Sequence, residues 1–186
     1  LDRFISQREV FEAKNLARVV SYIERRAKEQ ELTLEGMLSL HKMLISNIQD
    51  DIAGRFRQGD ERVRVASHIA PHAHEITERL LVTLAEYHAS SNESIIKRIA
   101  KFHLSFEYTH PFIDGNGRIG RVLNNYLLIR EGYVPINIKF IDRAKYYDAF
   151  KEFESNGKTD VMEEIVAKAL TNSYHKRLAY LEGRKI

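Results

Sequence analysis

Residues 93–130 read ESIIKRIAKFHLSFEYTHPFIDGNGRIGRVLNNYLLIR, and this stretch decides the fold. From about Glu93 to Thr109 it is apolar on several faces, with Ile95, Ile96, Ile99, Ala100, Phe102, Leu104 and Phe106. A helix apolar nearly all round belongs in the middle of a bundle. It should stop near Thr109 or His110, because the residue before Pro111 is pushed out of the α region. A glycine-rich turn follows. Helical spacing then resumes from Arg118 to Arg130 through Ile119, Val122, Leu123, Tyr126 and Leu127, with Gly132 as the C′ residue.

Outward from this centre, most of the chain reads as further helices. Residues from about Glu9 to Lys28 place Val10, Leu16, Val19, Val20 and Ile23 at helical spacing. Thr33 is an N-cap for a second helix that carries Leu38, Leu40, Leu44 and Ile45 and runs to Ile48. Gly54, Gly59 and Asp60 punctuate a loop. The alternation from Arg62 to Ile69 then predicts a small hairpin, ended by Pro71. Ile76, Leu80, Leu81 and Leu84 mark a helix from about His74 to Tyr87, and Ser90, Ser91 and Asn92 break it. Later helices are expected at about 142–154 and 160–181. The pattern predicts an all-α fold with one inserted hairpin, a single domain over 1–186 with its core at about 9–170.

Composition narrows the function classes. The 186 residues are 44% hydrophobic and 30% charged, which suits one compact domain with a real core. No run approaches the roughly 18 apolar residues of a membrane span, and no secretory signal opens the chain. No membrane partner is expected. Leu1 in place of an initiator methionine suggests sequence missing upstream. Without cysteine there are no disulfides or thiolate metal sites, which fits a reducing, cytoplasmic compartment. A net charge of +3 is too small and too evenly spread to argue for nucleic acid. Arg25, Arg26 and Lys28, mixed with glutamates, read as a solvated helix face. His68, His72 and His74 lack a carboxylate at ligand spacing, so they read as solvent-exposed histidines beside the hairpin.

The turn from Asp114 to Gly117 sits where the next helix presents unpaired N–H groups and the positive end of its dipole, a place that attracts phosphate. Gly115 and Gly117 let the backbone curl into a nest of N–H groups. Arg118 and Arg121 share a helix face and can both reach phosphate oxygens. Asp114 is an oxygen ligand suited to Mg²⁺, which takes one or two carboxylates plus substrate phosphates. Asn116 can hydrogen-bond a phosphate oxygen without adding charge, and His110 can take a proton near neutral pH. Each residue also has an ordinary reading: a packed histidine, two common turn dipeptides, arginines facing solvent. Two cations at a helix N-terminus nevertheless oppose its dipole unless an anion lies between them, and one phosphate ligand accounts for the whole set.

The run from His110 to Arg121 matches the Fic family signature, H-x-F-x-D/E-G-N-G-R-x-x-R, at every specified position. Ala53-Gly54-Arg55-Phe56-Arg57 resembles the family segment before its flap hairpin, and His68-Ile69-Ala70-Pro71 its flap exit. Gly132-Tyr133-Val134-Pro135-Ile136 resembles the turn after the motif helix, so the likeness covers roughly residues 9 to 170. The resemblance implies a Fic-fold helical bundle with a β-hairpin flap, and transfer of AMP from ATP to a protein hydroxyl. His110 then resembles the general base and Asp114 the Mg²⁺ ligand. Asn116 with the backbone at Gly115 and Gly117 would cradle the α- and β-phosphates. Arg118 would hold the β- and γ-phosphates, Arg121 the γ-phosphate. Phe112 reads as a core anchor for the loop. Val63, Val65 and Ser67 lie in the flap that pairs with a protein substrate by strand addition. Tyr146 and Tyr147 occupy a stretch that lines the adenine pocket in the family, with Tyr147 favoured, although an aromatic pair on a helix is equally a core feature.

Many Fic proteins carry an inhibitory helix with S/T-x-x-x-E-G/N whose glutamate pairs with the second arginine, here Arg121. Leu178 to Gly183 keeps only the Glu-Gly, so the inhibitory helix is expected upstream of Leu1 or from a separate antitoxin. The intact Gly-Asn-Gly-Arg sets the loop apart from Doc-type kinases of the same fold. Removal of AMP, transfer from another nucleotide and a nucleotide-sensing module stay open as alternatives, as does a homodimer.

Overall fold

The computed structural model describes residues 5–65, 68–138 and 143–183. Helix α1 (Gln7–Arg26) opens on a capping box: the Glu9 N–H donates to Ser6 Oγ, and the Ser6 N–H donates to Glu9 Oε2. Its buried stripe is Asn15, Val19 and Ile23. Val10, Leu16 and Val20, expected on that stripe, are 38%, 43% and 38% exposed. A polar residue displaces them because Asn15 Nδ2 donates to Leu44 O and Ser46 O at 3.0 and 2.7 Å. Those carbonyls belong to the C-terminal end of helix α2 (Leu34–Ile45), which has no intrahelical donors left for them. Thr33 caps α2 as expected, but α2 stops at Ile45 and not Ile48, since Ser46 turns extended and Asn47 takes φ 63°.

After the hairpin, a single 3₁₀ turn (Ala73–Glu75) leads into helix α3 (Ile76–Ala89). Ile76, Leu80, Leu84 and Tyr87 face the core, while Leu81 lies outside it, 52% exposed. Helix α4 (Ile95–Thr109) is the centre of the bundle and packs against α3, helix α5 (Asn116–Arg130), helix α6 (Arg143–Asn156) and helix α7 (Asp160–Leu181). Helix α1 lies across α2 and α5. The architecture is therefore the expected all-α bundle. No helix among the described residues is long and apolar enough to cross a membrane.

The hairpin consists of β1 (Arg64–Val65) and β2 (His68–Ile69), antiparallel, with Arg64 opposite Ile69 and Val65 opposite His68. One further bond, Ala70 N–H to Val63 O, extends the pairing. Ser67 lies outside the described residues. His68 is not the solvent-exposed histidine the sequence suggested. One ring nitrogen lies 2.9 Å from Tyr108 O and the other 3.0 Å from Glu154 Oε1, so His68 pins the hairpin to α4 and α6. His72 and His74 are exposed, and among the described residues no three acidic or histidine side chains are grouped to hold a metal ion.

Candidate active site

Helix α4 ends at His110, whose backbone adopts the left-handed conformation, φ 45° and ψ 61°. A non-glycine residue stays there only when its surroundings hold it. The holder is Arg57, which is 2% exposed. Its guanidinium donates to His110 O at 2.8 Å, Thr109 O at 3.2 Å, Pro71 O at 2.9 Å and Glu61 O at 2.9 Å. One buried cation thus gathers the negative end of the α4 dipole and both flanks of the hairpin. In the sequence Arg57 stood out only as part of a family segment; nothing local to it announces this reach.

Below the loop the packing is tight. Phe112 is fully buried, stacked on His41 with ring centroids 3.7 Å apart and planes within 7°. The Gly54 N–H donates to His41 Nδ1 at 3.0 Å, so the ring proton sits on Nε2 and donates to Asp114 O at 2.9 Å. Burial pushes the His41 pKa down, which keeps that neutral tautomer. Asn116, expected to touch phosphate, is only 4% exposed and spends its amide on the loop itself. Its Oδ1 accepts from Phe112 N–H at 2.9 Å and its Nδ2 donates to Phe112 O at 2.8 Å. The side chain is a clasp, which leaves the Asn116 backbone N–H as the group that could meet a ligand. Gly115 is required twice over: φ is +85°, and a Cβ would lie 2.8 Å from Ile45 Cδ1.

Above the loop lies the first turn of α5, which has no side-chain cap and no acidic residue. Such a helix start presents N–H groups of the kind that can bind an anion. Asp114 Oδ1 accepts the Gly115 N–H at 2.7 Å. Asp114 Oδ2 pairs with Arg8 Nη2 at 3.0 Å and lies 3.6 Å from Arg118 Nη2. Glu12 Oε1 in turn meets Arg8 Nε at 3.0 Å and Arg118 Nη1 at 3.2 Å. The second contact is Coulombic only, because Arg118 Nη1 is buried without a hydrogen-bond acceptor. An orphaned guanidinium nitrogen beside an uncapped helix start fits an anionic ligand. Arg121 Nη1 stands at the mouth of the turn, 3.6 Å from where a Cβ on Gly117 would be. Burial lowers the Arg121 pKa, against the pull of Tyr146 and Glu107.

His110 keeps 14% of its side-chain surface exposed, and burial depresses its pKa to about 4, with Arg57 and His68 adding to the effect. Its imidazole is therefore neutral at physiological pH and able to accept a proton. Asp114 offers the one carboxylate of the loop, hard oxygen chemistry that fits Mg²⁺ completed by phosphate oxygens and water and not by a protein cage. Tyr146 and Tyr147 separate: Tyr146 is partly buried with its hydroxyl 2.7 Å from His103 Nε2, while Tyr147 is 47% exposed. A cavity of about 500 Å³ between α6 and α7 is lined by Tyr146, Ile138 and Asn172.

Residues 31–128 of the chain match the Fic/DOC family, a little over half of its length. The chain belongs to that family. Among its Fic relatives, protein adenylyltransferase Fic from Nematostella vectensis is 33% identical over 124 residues, covering 65% of this chain and 28% of that protein. A Fic domain containing signaling protein from Bacteroides thetaiotaomicron superposes with a TM-score of 0.83 at 20% identity, over 99% of this chain and 76% of that one. Fic-1 from C. elegans gives the same TM-score at 22% identity, over 98% of this chain and 55% of that one. At those identities the solved structures speak for the Fic fold. The chain spans about a quarter of the length of the curated relatives it matches.

Proposed function

We propose that this Fic chain is a protein adenylyltransferase that moves AMP from ATP to a Ser, Thr or Tyr hydroxyl of a protein paired with the hairpin. One observation carries the reading: a neutral, half-buried imidazole and an uncapped helix start, with Arg118 and Arg121 beside it, share a loop whose backbone is held from below. The curated relatives bear the same activity in their name.

In this reading the α5 N–H groups, Arg118 and Arg121 bind the phosphates and neutralise charge that grows as pyrophosphate leaves. His110 takes the proton of the target hydroxyl. The hydroxyl oxygen then bonds to the α-phosphorus, and the bridging bond to the β-phosphate breaks. Asp114 would hold Mg²⁺, which when bound supplies further charge neutralisation at the phosphates. Arg8 and Glu12 cover this side of the loop through ion pairs weakened by solvent screening, so phosphate and cation can displace them. The hairpin edge, with Val63 and Val65, supplies backbone groups for an added strand.

ATP labelled on the α- or the γ-phosphate tests the reading on lysate proteins. Protein-bound α-label is expected from the wild type and none from His110→Ala, which should still bind Mg-ATP. Protein-bound γ-label in place of α-label would make the chain a kinase, and equal labelling by His110→Ala would remove the base.

A further inference from the structure

Under His110 lies a carboxyl group that the chemistry above leaves unused. Glu107 is one helical turn earlier on α4 and 7% exposed. Its Oε1 is buried with no hydrogen-bond partner, an arrangement that ordinarily destabilises a fold. Room for it exists because position 120 on α5 is glycine: a Cβ there would stand 2.4 Å from Glu107 Oε1 and 3.3 Å from Phe106 Cδ1. The other oxygen, Oε2, lies 3.8 Å from His110 Nδ1. That nitrogen is also buried and without a hydrogen-bond partner. Nδ1 and Oε2 thus stand only a few tenths of an ångström beyond hydrogen-bonding distance, on a carboxyl whose other oxygen has no partner.

We propose that Glu107 is the positioning residue of His110, its carboxylate accepting from Nδ1–H so that the lone pair stays on Nε2 and the imidazolium formed during transfer is stabilised. The proposal rests on the adenylyltransferase reading for its chemistry. In the step, the target O–H bond breaks and its proton goes to Nε2. The oxygen pair forms the new bond to the α-phosphorus, and the electron pair of the broken α–β bridge leaves with pyrophosphate. Nδ1–H keeps its proton throughout, facing the carboxylate as in other histidine bases oriented by a third group. The contact tightens on forming the complex, as catalytic hydrogen bonds do.

Other groups face the pair. Arg121 from α5 and Tyr146 from α6 interact electrostatically with Glu107, and Arg57 and His68 with His110. Burial raises the Glu107 pKa to about 7 while Arg121 pulls it down, so the carboxyl ionises near neutrality. The rival orienter is Glu107's own main-chain carbonyl, which also faces the His110 ring.

Substitution of the side chain alone separates the two. Wild type, His110→Ala, Glu107→Gln and Glu107→Leu would be compared in α-label transfer from Mg-ATP across pH 5–9, together with ¹⁵N spectra of the His110 ring. Glu107→Leu should lose roughly 10- to 100-fold in transfer rate with Mg-ATP binding unchanged. The wild-type rate should fall on the acid side of about pH 7, and Glu107→Gln should abolish that limb. The ¹⁵N spectra should show Nδ1–H in the wild type and a mixture of tautomers in Glu107→Leu. Wild-type rate or an unchanged tautomer in Glu107→Leu, or a persistent limb in Glu107→Gln, would assign the ring to the main-chain carbonyl and overturn the proposal. If Glu107→Leu does not fold, the Glu107→Gln profile decides. A wild type that transfers no α-label fails the functional reading instead, and the tautomer spectra still decide the positioning.

Discussion

The two sides of the 110–117 loop are built from different materials. Its underside is Phe112, Asn116, His41 and Arg57, none more than 4% exposed, joined by ring stacking and by hydrogen bonds to backbone. Its upper side is a mesh of Arg8, Glu12, Asp114 and Arg118, with side chains 53%, 33%, 36% and 23% exposed. Groups packed below cannot move one at a time, because each removal leaves a cavity or a buried unpaired polar atom. Charges above are screened by water and trade partners cheaply. The contrast teaches that the loop's shape is set by packing alone, while on the proposed reading its charges could be reassigned to a phosphate.

The sharpest way to break the comparison is to cut the underside. Phe112→Ala should lose about 3–5 kcal/mol of stability in denaturant titrations, the cost of emptying a tightly packed aromatic site. A smaller but still clear effect is expected of Asn116→Ala, which strands the N–H and C=O of Phe112; about 1–3 kcal/mol should be lost, and Mg-ATP binding should weaken with it. Binding unchanged in that variant would show that the clasp does not shape the cradle.

Glu107 supplies a pH-resolved test of the same underside. Its folded pKa of about 7 lies above the ordinary 4.5, so between those values the unfolded chain holds fewer protons than the folded one. Stability from this group therefore falls as pH rises through that window. Glu107→Gln should be more stable than the wild type at pH 8, with the advantage shrinking toward pH 5, as followed by Tm. His110 and His103 act in the opposite sense, since their depressed pKa values, about 4 and about 3, make stability rise with pH below 6.5. At pH 8 both histidines are neutral folded and unfolded, so the comparison there reads Glu107. The smallest effect belongs to the upper side. Arg8→Ala should leave stability almost unchanged and tighten Mg-ATP binding by less than about tenfold, read by calorimetry.

Legibility in the sequence followed range of interaction. The ends of α4 and α5, the turn between them and the N-cap at Thr33 were readable because caps, prolines and glycines act within one helical turn. The face of α1 was misread, since Asn15 is drawn inward by carbonyls of α2 about thirty positions away, a demand hydrophobic periodicity does not register. His68 was misread for the same reason, its partners being Tyr108 and Glu154.

By itself the sequence determined a helical bundle broken by one glycine-rich loop, because period and turn chemistry are local properties of neighbouring residues. Tertiary structure alone decided that the Asn116 amide clasps the backbone of Phe112, that Arg57 and His41 reach the loop across 53 and 73 positions, and that a buried glutamate lies under His110. Those choices depend on which buried polar groups find partners, and that is settled only when distant segments share one dry interior.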